Sequence, residues 1–229
     1  MSHKVLRCME NFSQTEENYL KAIFKLSERE DKPASTNAIA GEMSTSAASV
    51  TDMLRRLAEK GLIHYEKYRG VALTEKGNKL ATGLIRKHRL WEVFLLEKLR
   101  FSWDEVHDMA EQLEHIQSPE LVERLDEYLG RPKFDPHGDP IPDADGNFTF
   151  RKQVFLSALN PGESGAVVGV NDHSPAFLQY LDRIGIKLGA HLRIAERFDY
   201  DESVRVLMDD ANEQVLSKKV SQNLFIQKF

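Results

Sequence analysis

A single cysteine, Cys8, stands in 229 residues, which excludes an internal disulfide framework and any cysteine-rich zinc ribbon and points to a reducing, cytoplasmic setting. No apolar run approaches the length of a membrane span or a signal peptide, so neither a membrane protein nor a secreted one is expected. His-Glu-x-x-His, paired Glu-x-x-His motifs and a Gly-rich phosphate loop are all lacking, which removes the commonest metalloprotease, di-iron and nucleotide-binding readings. What remains is 41% hydrophobic, enough to bury a core without staples and to build two or three small domains. The net charge of −5 is unevenly spread. Residues 1–80 carry 13 Lys and Arg against 11 Asp and Glu, residues 81–130 carry 6 against 11, and residues 131–229 carry 12 against 14. A mildly basic front precedes an acidic middle.

The most informative stretch is His107-Asp108-Met109-Ala110-Glu111-Gln112-Leu113-Glu114-His115. Its donors recur at i, i+4, i+7 and i+8, which on a helix is one face. His88 and Glu92 repeat the i, i+4 spacing in another helical pattern, so two neighbouring helices can converge imidazoles and carboxylates on a divalent cation. A lone histidine on an apolar stripe is more often a core residue than a ligand. The neighbouring cluster tips His88 the other way.

The front of the chain reads as a helix over 13–30, opened by Ser13 and Glu16 in capping-box order, then short helices over 35–43 and 47–60 with Ser44-Thr45-Ser46 between them. Lys60-Gly61 closes the last of these, and runs 62–66 and 71–74 flank a tight turn as two strands. That order is a winged helix-turn-helix, whose second helix enters the major groove. Ser46, Ala47, Ala48, Ser49 and Thr51 then face the bases, while Lys67 and Arg69 on the wing, with Arg55, Arg56 and Lys60, are candidate phosphate contacts. These are small readers, so specificity leans on dimer spacing and DNA shape.

A long helix follows over 74–101, then helices over 104–117 and 118–129. Leu95, Leu96, Leu99, Phe101, Leu121, Leu125 and Tyr128 exceed what one small module buries, an argument for a dimer interface. Residues 131–150 hold Pro132, Pro136, Gly138, Pro140, Pro142 and Gly146 and read as a linker or irregular loop, with His137, Asp135, Asp139, Asp143 and Asp145 as solvating charge. Beyond it, runs 166–170, 191–195 and 204–208 are strand-like, 175–184 is helical, and a small five-stranded barrel is the expected closure.

Over nearly its full length the chain resembles the diphtheria toxin repressor family of metal-activated transcription regulators, including its manganese-responsive branch. The resemblance is carried by Thr15-Glu16-Glu17-Asn18-Tyr19-Leu20, Tyr65-Glu66-Lys67-Tyr68-Arg69-Gly70, Leu73-Thr74-Glu75-Lys76-Gly77, Arg86-Lys87-His88-Arg89-Leu90, Val106-His107-Asp108, Glu114-His115 and Gly138-Asp139-Pro140-Ile141-Pro142. It implies a mainly α protein with small β parts. A winged helix-turn-helix DNA-binding domain (1–76) would be followed by a helical dimerisation and metal-binding domain (77–130), a Pro-rich linker (131–153) and an SH3-like β-barrel similar to the ferrous-transport protein FeoA (154–229).

The resemblance also implies two metal sites. One is similar to His88, Glu92 and His107, completed by Asp172 or His173; the other combines Glu111, Glu114 and His115 with position 18. There Asn18 stands where iron-type members carry Met and manganese-type members carry Asp, and Glu111 stands in place of the iron-type Cys. The donors are hard oxygens and imidazoles, which favours Mn²⁺ or Fe²⁺ as co-repressor. The expected protein is a homodimeric repressor on a palindromic operator in double-stranded DNA, of the manganese or the iron type. A metal-dependent enzyme and a metal-independent regulator are the alternatives from other classes.

Overall fold

The structure is a computed structural model that describes residues 12–30, 32–66, 70–209 and 211–229. The chain divides into two compact units, one ending at Ile85 and including Ala144–Gly146, the other made of Arg86–Asp143 and Asn147–Phe229.

In the first unit, helices α1 (Gln14–Glu30), α2 (Thr36–Glu42) and α3 (Ala47–Glu59) are followed by strands β1 (Ile63–Glu66) and β2 (Gly70–Leu73) and the start of α4 (Glu75–Glu97). The caps form as the sequence dictates. Glu16 N donates to Ser13 Oγ at 3.2 Å and Ser13 N donates to Glu16 Oε2 at 3.0 Å, a reciprocal capping box at α1. Ser35 and Ser46 accept from the backbone at the starts of α2 and α3. Gly61 at φ 67° follows α3, and Leu62 N returns to Leu57 O at 3.0 Å, turning the chain into β1. β1 and β2 pair antiparallel from Ile63↔Leu73 to Glu66↔Gly70, and Ala34 adds a bridge to Val71. The apolar faces of α1, α2 and α3 meet the hairpin over Leu20, Ile23, Ile39, Leu54, Leu57 and Val71.

The second unit starts within α4 and adds α5 (Val106–Leu113) and α6 (Pro119–Tyr128), the latter capped by Ser118 with Pro119 in its first turn. Leu90 and Val93 of α4 pack with Leu125 of α6 and Ile141, and Leu95 packs with Val106 and Ala110 of α5. Of the apolar residues singled out in the sequence, Leu95 and Leu125 are buried, whereas Leu99, Leu121 and Tyr128 are exposed.

Residues 131–153 hold neither helix nor strand, yet they do not float. Arg86 donates to Pro142 O, Arg89 donates to Pro140 O and Asp139, and Ile141 N donates to Lys133 O. This corrects the expectation of solvating charge at two positions. Asp135 is 4% and His137 2% exposed, because the pinned backbone turns both inward.

From Val154 onward comes one antiparallel sheet of six strands, one more than expected: β3 (Val154–Phe155), β4 (Ser164–Val170), β5 (His191–Arg197), β6 (Val204–Met208), β7 (Asn212–Leu216) and β8 (Leu224–Lys228). Their order is β3-β8-β4-β5-β6-β7, with α7 (Pro175–Arg183) between β4 and β5 and a short α8 (Lys218–Ser221) before β8. Leu156, Val167, Leu178, Leu181, Leu192 and Val206 are among the side chains of its core. No helix among the described residues is long and apolar enough to cross a membrane.

Candidate metal centre

α4 places His88 and Glu92 one turn apart on a buried face, and α5 brings His107 against them. His88 Nε2 lies 3.0 Å from Glu92 Oε1 and 3.1 Å from His107 Nδ1, and His107 Nδ1 lies 3.2 Å from Glu92 Oε1. Three ligand atoms thus form a nearly equilateral triangle. Donors about 2.1 Å from a common cation sit about 3.0 Å apart along an octahedral edge and about 3.4 Å apart along a tetrahedral one. The observed sides fall nearer the octahedral value, and the donors are hard, so the residues fit a divalent cation of the Mn²⁺ or Fe²⁺ kind.

Two further groups of three adjoin the triangle. His88, Glu111 and Glu114 converge, with His88 Nδ1 at 2.6 Å from Glu114 Oε2 and 3.9 Å from Glu111 Oε1. Glu111 also faces His107 Nε2 at 3.8 Å. Glu92, Asp135 and His137 converge on the other side, where His137 Nδ1 is 3.7 Å from Glu92 Oε2, a charge contact too long for a hydrogen bond. Asp135 and His137 are the residues that sequence reasoning missed. Their two-residue spacing has no meaning on a helix, and only the neighbouring stretch Gly138–Pro142, part of the family resemblance, signalled that the segment mattered.

The electrostatics follow from burial against neighbours. Burial pushes the Glu92 carboxyl upward, but His107, His137 and His88 outweigh it and hold the group well below the ordinary carboxylate range. Asp135 is pushed up to about 7 by burial, with Glu92 and Asp139 adding to the rise and Arg89 and His137 opposing it. Burial disfavours the charged form of His137, yet its contacts with Glu92 and the charge of Asp135 raise it.

The remaining expected ligands are placed differently. His115 Nε2 is 3.8 Å from Glu114 Oε1 but belongs to none of the three groups. Asp172 accepts from Ser174 N at 2.9 Å within its own loop, and His173 stacks on His137 with ring centroids 4.9 Å apart; neither joins a group of three. Asn18 lies on α1 in the first unit, with its Oδ1 buried and without a hydrogen-bond partner.

On the winged helix, Ser46, Ala47, Ala48 and Ser49 are exposed at the start of α3. Ser46 Oγ accepts from Ser49 N and Thr51 Oγ1 donates to Ala47 O at 2.8 Å, so both hydroxyls are engaged with the helix backbone. Arg55 pairs with Asp52, and Lys60 pairs with Glu16. Lys67 and Arg69 lie outside the described residues.

Comparison with known proteins matches three family models in succession along the chain. Residues 11–71 match the iron-dependent repressor N-terminal DNA binding domain, residues 74–143 its metal binding and dimerisation domain, and residues 154–228 the FeoA domain. The iron-dependent repressor IdeR of Mycobacterium tuberculosis is 36% identical over 134 residues, 58% of each chain, so the match spans little more than half of that relative's length. The diphtheria toxin repressor of Corynebacterium diphtheriae is 30% identical over 200 residues, 82% of this chain and 88% of that protein. A solved manganese-dependent transcriptional repressor in complex with manganese is similar at a TM-score of 0.80 and 36% identity, over 93% of this chain and 100% of that one. With both repressor domains and the FeoA domain matched in order, the chain belongs to the diphtheria toxin repressor family of iron-dependent repressors.

Proposed function

We propose that this protein is a metal-activated, DNA-binding repressor of metal-ion homeostasis, with Mn²⁺ or Fe²⁺ as co-repressor. The observation that carries the reading is the triangle of buried His88 and Glu92 with half-exposed His107, all hard donors on two helices of one unit. The manganese complex of the similar solved repressor favours manganese, and the iron-dependent relatives keep Fe²⁺ as the second candidate.

His88 and Glu92 of α4 and His107 of α5, with Asp135 and His137 adjoining, would hold the cation, which would supply the positive charge that these donors share. The chain's own residues do the rest. His88, Glu92 and His107 hold the facing turns of α4 and α5 together. Metal binding therefore selects one arrangement of these helices. Two copies then present their α3 helices to a palindromic operator, with Ala47, Ala48 and Ser49 toward the bases. The homodimer is supported by apolar surface at the end of α4 and on α6, where Leu99 is 53% and Tyr128 66% exposed beside Leu121. A regulator of this kind works in the cytoplasm, beside the chromosome.

The test is fluorescence anisotropy on labelled duplexes enriched from a randomised library with Mn²⁺ present. Binding is then measured in chelator, Mn²⁺, Fe²⁺ without oxygen, Co²⁺ and Zn²⁺ at fixed salt. The expected result is affinity raised by about tenfold to a hundredfold by Mn²⁺ or Fe²⁺, a coupling of about 1–3 kcal/mol. Equal binding in chelator would overturn the co-repressor role.

A further inference from the structure

Arg151 sits in an extended segment ahead of β3, and its guanidinium joins two stretches of the second unit. Nη2 donates to Gly138 O at 2.8 Å and also to Val168 O on β4. The guanidinium carbon lies 3.9 Å from the centroid of the Phe134 ring. Phe134 and Gly138 bracket Asp135 and His137, so one side chain grips both ends of the loop that carries them.

The grip is matched by close backbone contact. Gly138 has φ 93°, and a Cβ there would come within 2.2 Å of Val168 O and 2.4 Å of the Gly169 Cα. Val170 N donates to His137 O at 2.9 Å, which adds a rung between the loop and β4. Two glycines permit the approach, and Arg151 supplies the donor that Gly138 O and Val168 O share.

We propose that Arg151 is a positioning residue for the donor group Glu92, Asp135 and His137. By bridging the two carbonyls and stacking on Phe134, it holds His137 against Glu92 in the geometry that a cation needs. Lysine is a poor replacement, because its compact ammonium does not stack flat on the Phe134 ring as the planar guanidinium does. The inference rests on the metal-binding reading above and adds to it a residue that touches no metal.

The test is calorimetric titration of the full chain with Mn²⁺ alone, comparing wild type with H137A, R151A, R151K and the double variant R151A/H137A. Thermal melting of each metal-free protein is the control for folding. H137A is expected to weaken manganese binding, and R151A to weaken it by about tenfold to a hundredfold, the usual cost of losing a residue that orients a ligand. In the H137A background R151A should cost nothing further, a pattern that a merely structural role does not produce. If H137A binds manganese like wild type, His137 is not part of a metal site and the positioning proposal fails, while the reading that rests on His88, Glu92 and His107 stands; manganese that fails to bind the wild type at all would overturn that reading. If H137A weakens binding but R151A does not, or if R151A costs the same in both backgrounds, the positioning role is overturned. Should R151A fail to fold, R151K carries the decision: severalfold weaker binding supports the role and wild-type affinity refutes it.

Discussion

Nδ1 of His88 faces Oε2 of Glu114 at 2.6 Å while Nε2 of the same ring faces Glu92 and His107. Both ring nitrogens thus face a carboxylate, but a cation held by Glu92 and His107 would need the Nε2 lone pair, which would leave the ring proton on Nδ1 as a donor to Glu114. In that arrangement Glu114 would orient the His88 ring and hold its tautomer. The same proton prevents Nδ1 from serving a second cation at Glu111 and Glu114, so the two groups that share His88 compete for it. Glu114→Gln keeps an acceptor but loses the charge, and manganese affinity should fall by about tenfold to a hundredfold with the fold retained. Calorimetry showing wild-type affinity would leave Glu114 neither a ligand nor an orienting group.

Two glycines of α4 should respond in opposite directions to alanine. Alanine is favoured over glycine inside a helix by about 1 kcal/mol. At Gly77 the added Cβ would lie 2.0 Å from Leu62 O, a backbone atom that cannot swing aside. At Gly83 nothing lies within 4 Å. Gly77→Ala is expected to cost about 1–3 kcal/mol as an overpacking defect, and Gly83→Ala to stabilise by about 0.5–1 kcal/mol. Denaturant unfolding of both variants checks the pair, and a stabilised Gly77→Ala would show that α4 does not press on the backbone of Leu62 ahead of β1.

The first unit was readable because its determinants are local. Ser13 with Glu16, Ser46 before Ala47, and Gly61 after Lys60 each fix a helix end within a few residues. Helical periodicity likewise placed His88, Glu92 and His107 on facing turns. Asp135 and His137 were not readable, because the segment has no period. Their burial depends on Arg86 and Arg89 reaching backbone carbonyls more than fifty residues away. The strands β3, β7 and β8 escaped for different reasons: β3 is two residues long, Asn212–Leu216 is a largely exposed, polar edge strand without clean alternation, and Leu224–Lys228 alternates over three residues only before ending on two exposed polar ones.

Acid should loosen the first unit through one ion pair. Burial raises the Glu16 carboxyl, but the hydrogen bond from Lys60 and those at Ser13 outweigh it, so its pKa is lowered on folding. A carboxyl lowered on folding contributes stability that is fully present above the unfolded value, near 4.3, and is lost as pH falls through the folded value. Lys60 is partly exposed, so the pair is worth only about 1 kcal/mol after screening. Lys60→Met should cost about that much at pH 7 and little at pH 3, measured by chemical unfolding at both. An equal cost at the two pH values would assign the effect to packing of the lysine stem.

Ser46 allows capping and DNA contact to be separated by two substitutions at one position. Its Oγ accepts from Ser49 N and lies 2.9 Å from Ser49 Oγ, so the hydroxyl already closes the start of α3. Alanine removes that acceptor and should cost about 1 kcal/mol of stability. Aspartate is as good a cap as serine and benefits from the helix dipole, so stability should hold. It also places a negative charge at the turn proposed to enter the major groove, where phosphates repel it. Ser46→Asp should therefore melt like wild type yet bind operator DNA more than tenfold more weakly, while Ser46→Ala should show the reverse ranking of effects. If Ser46→Asp binds as wild type does in the presence of manganese, the first turn of α3 lies outside the interface and DNA recognition must come from other residues.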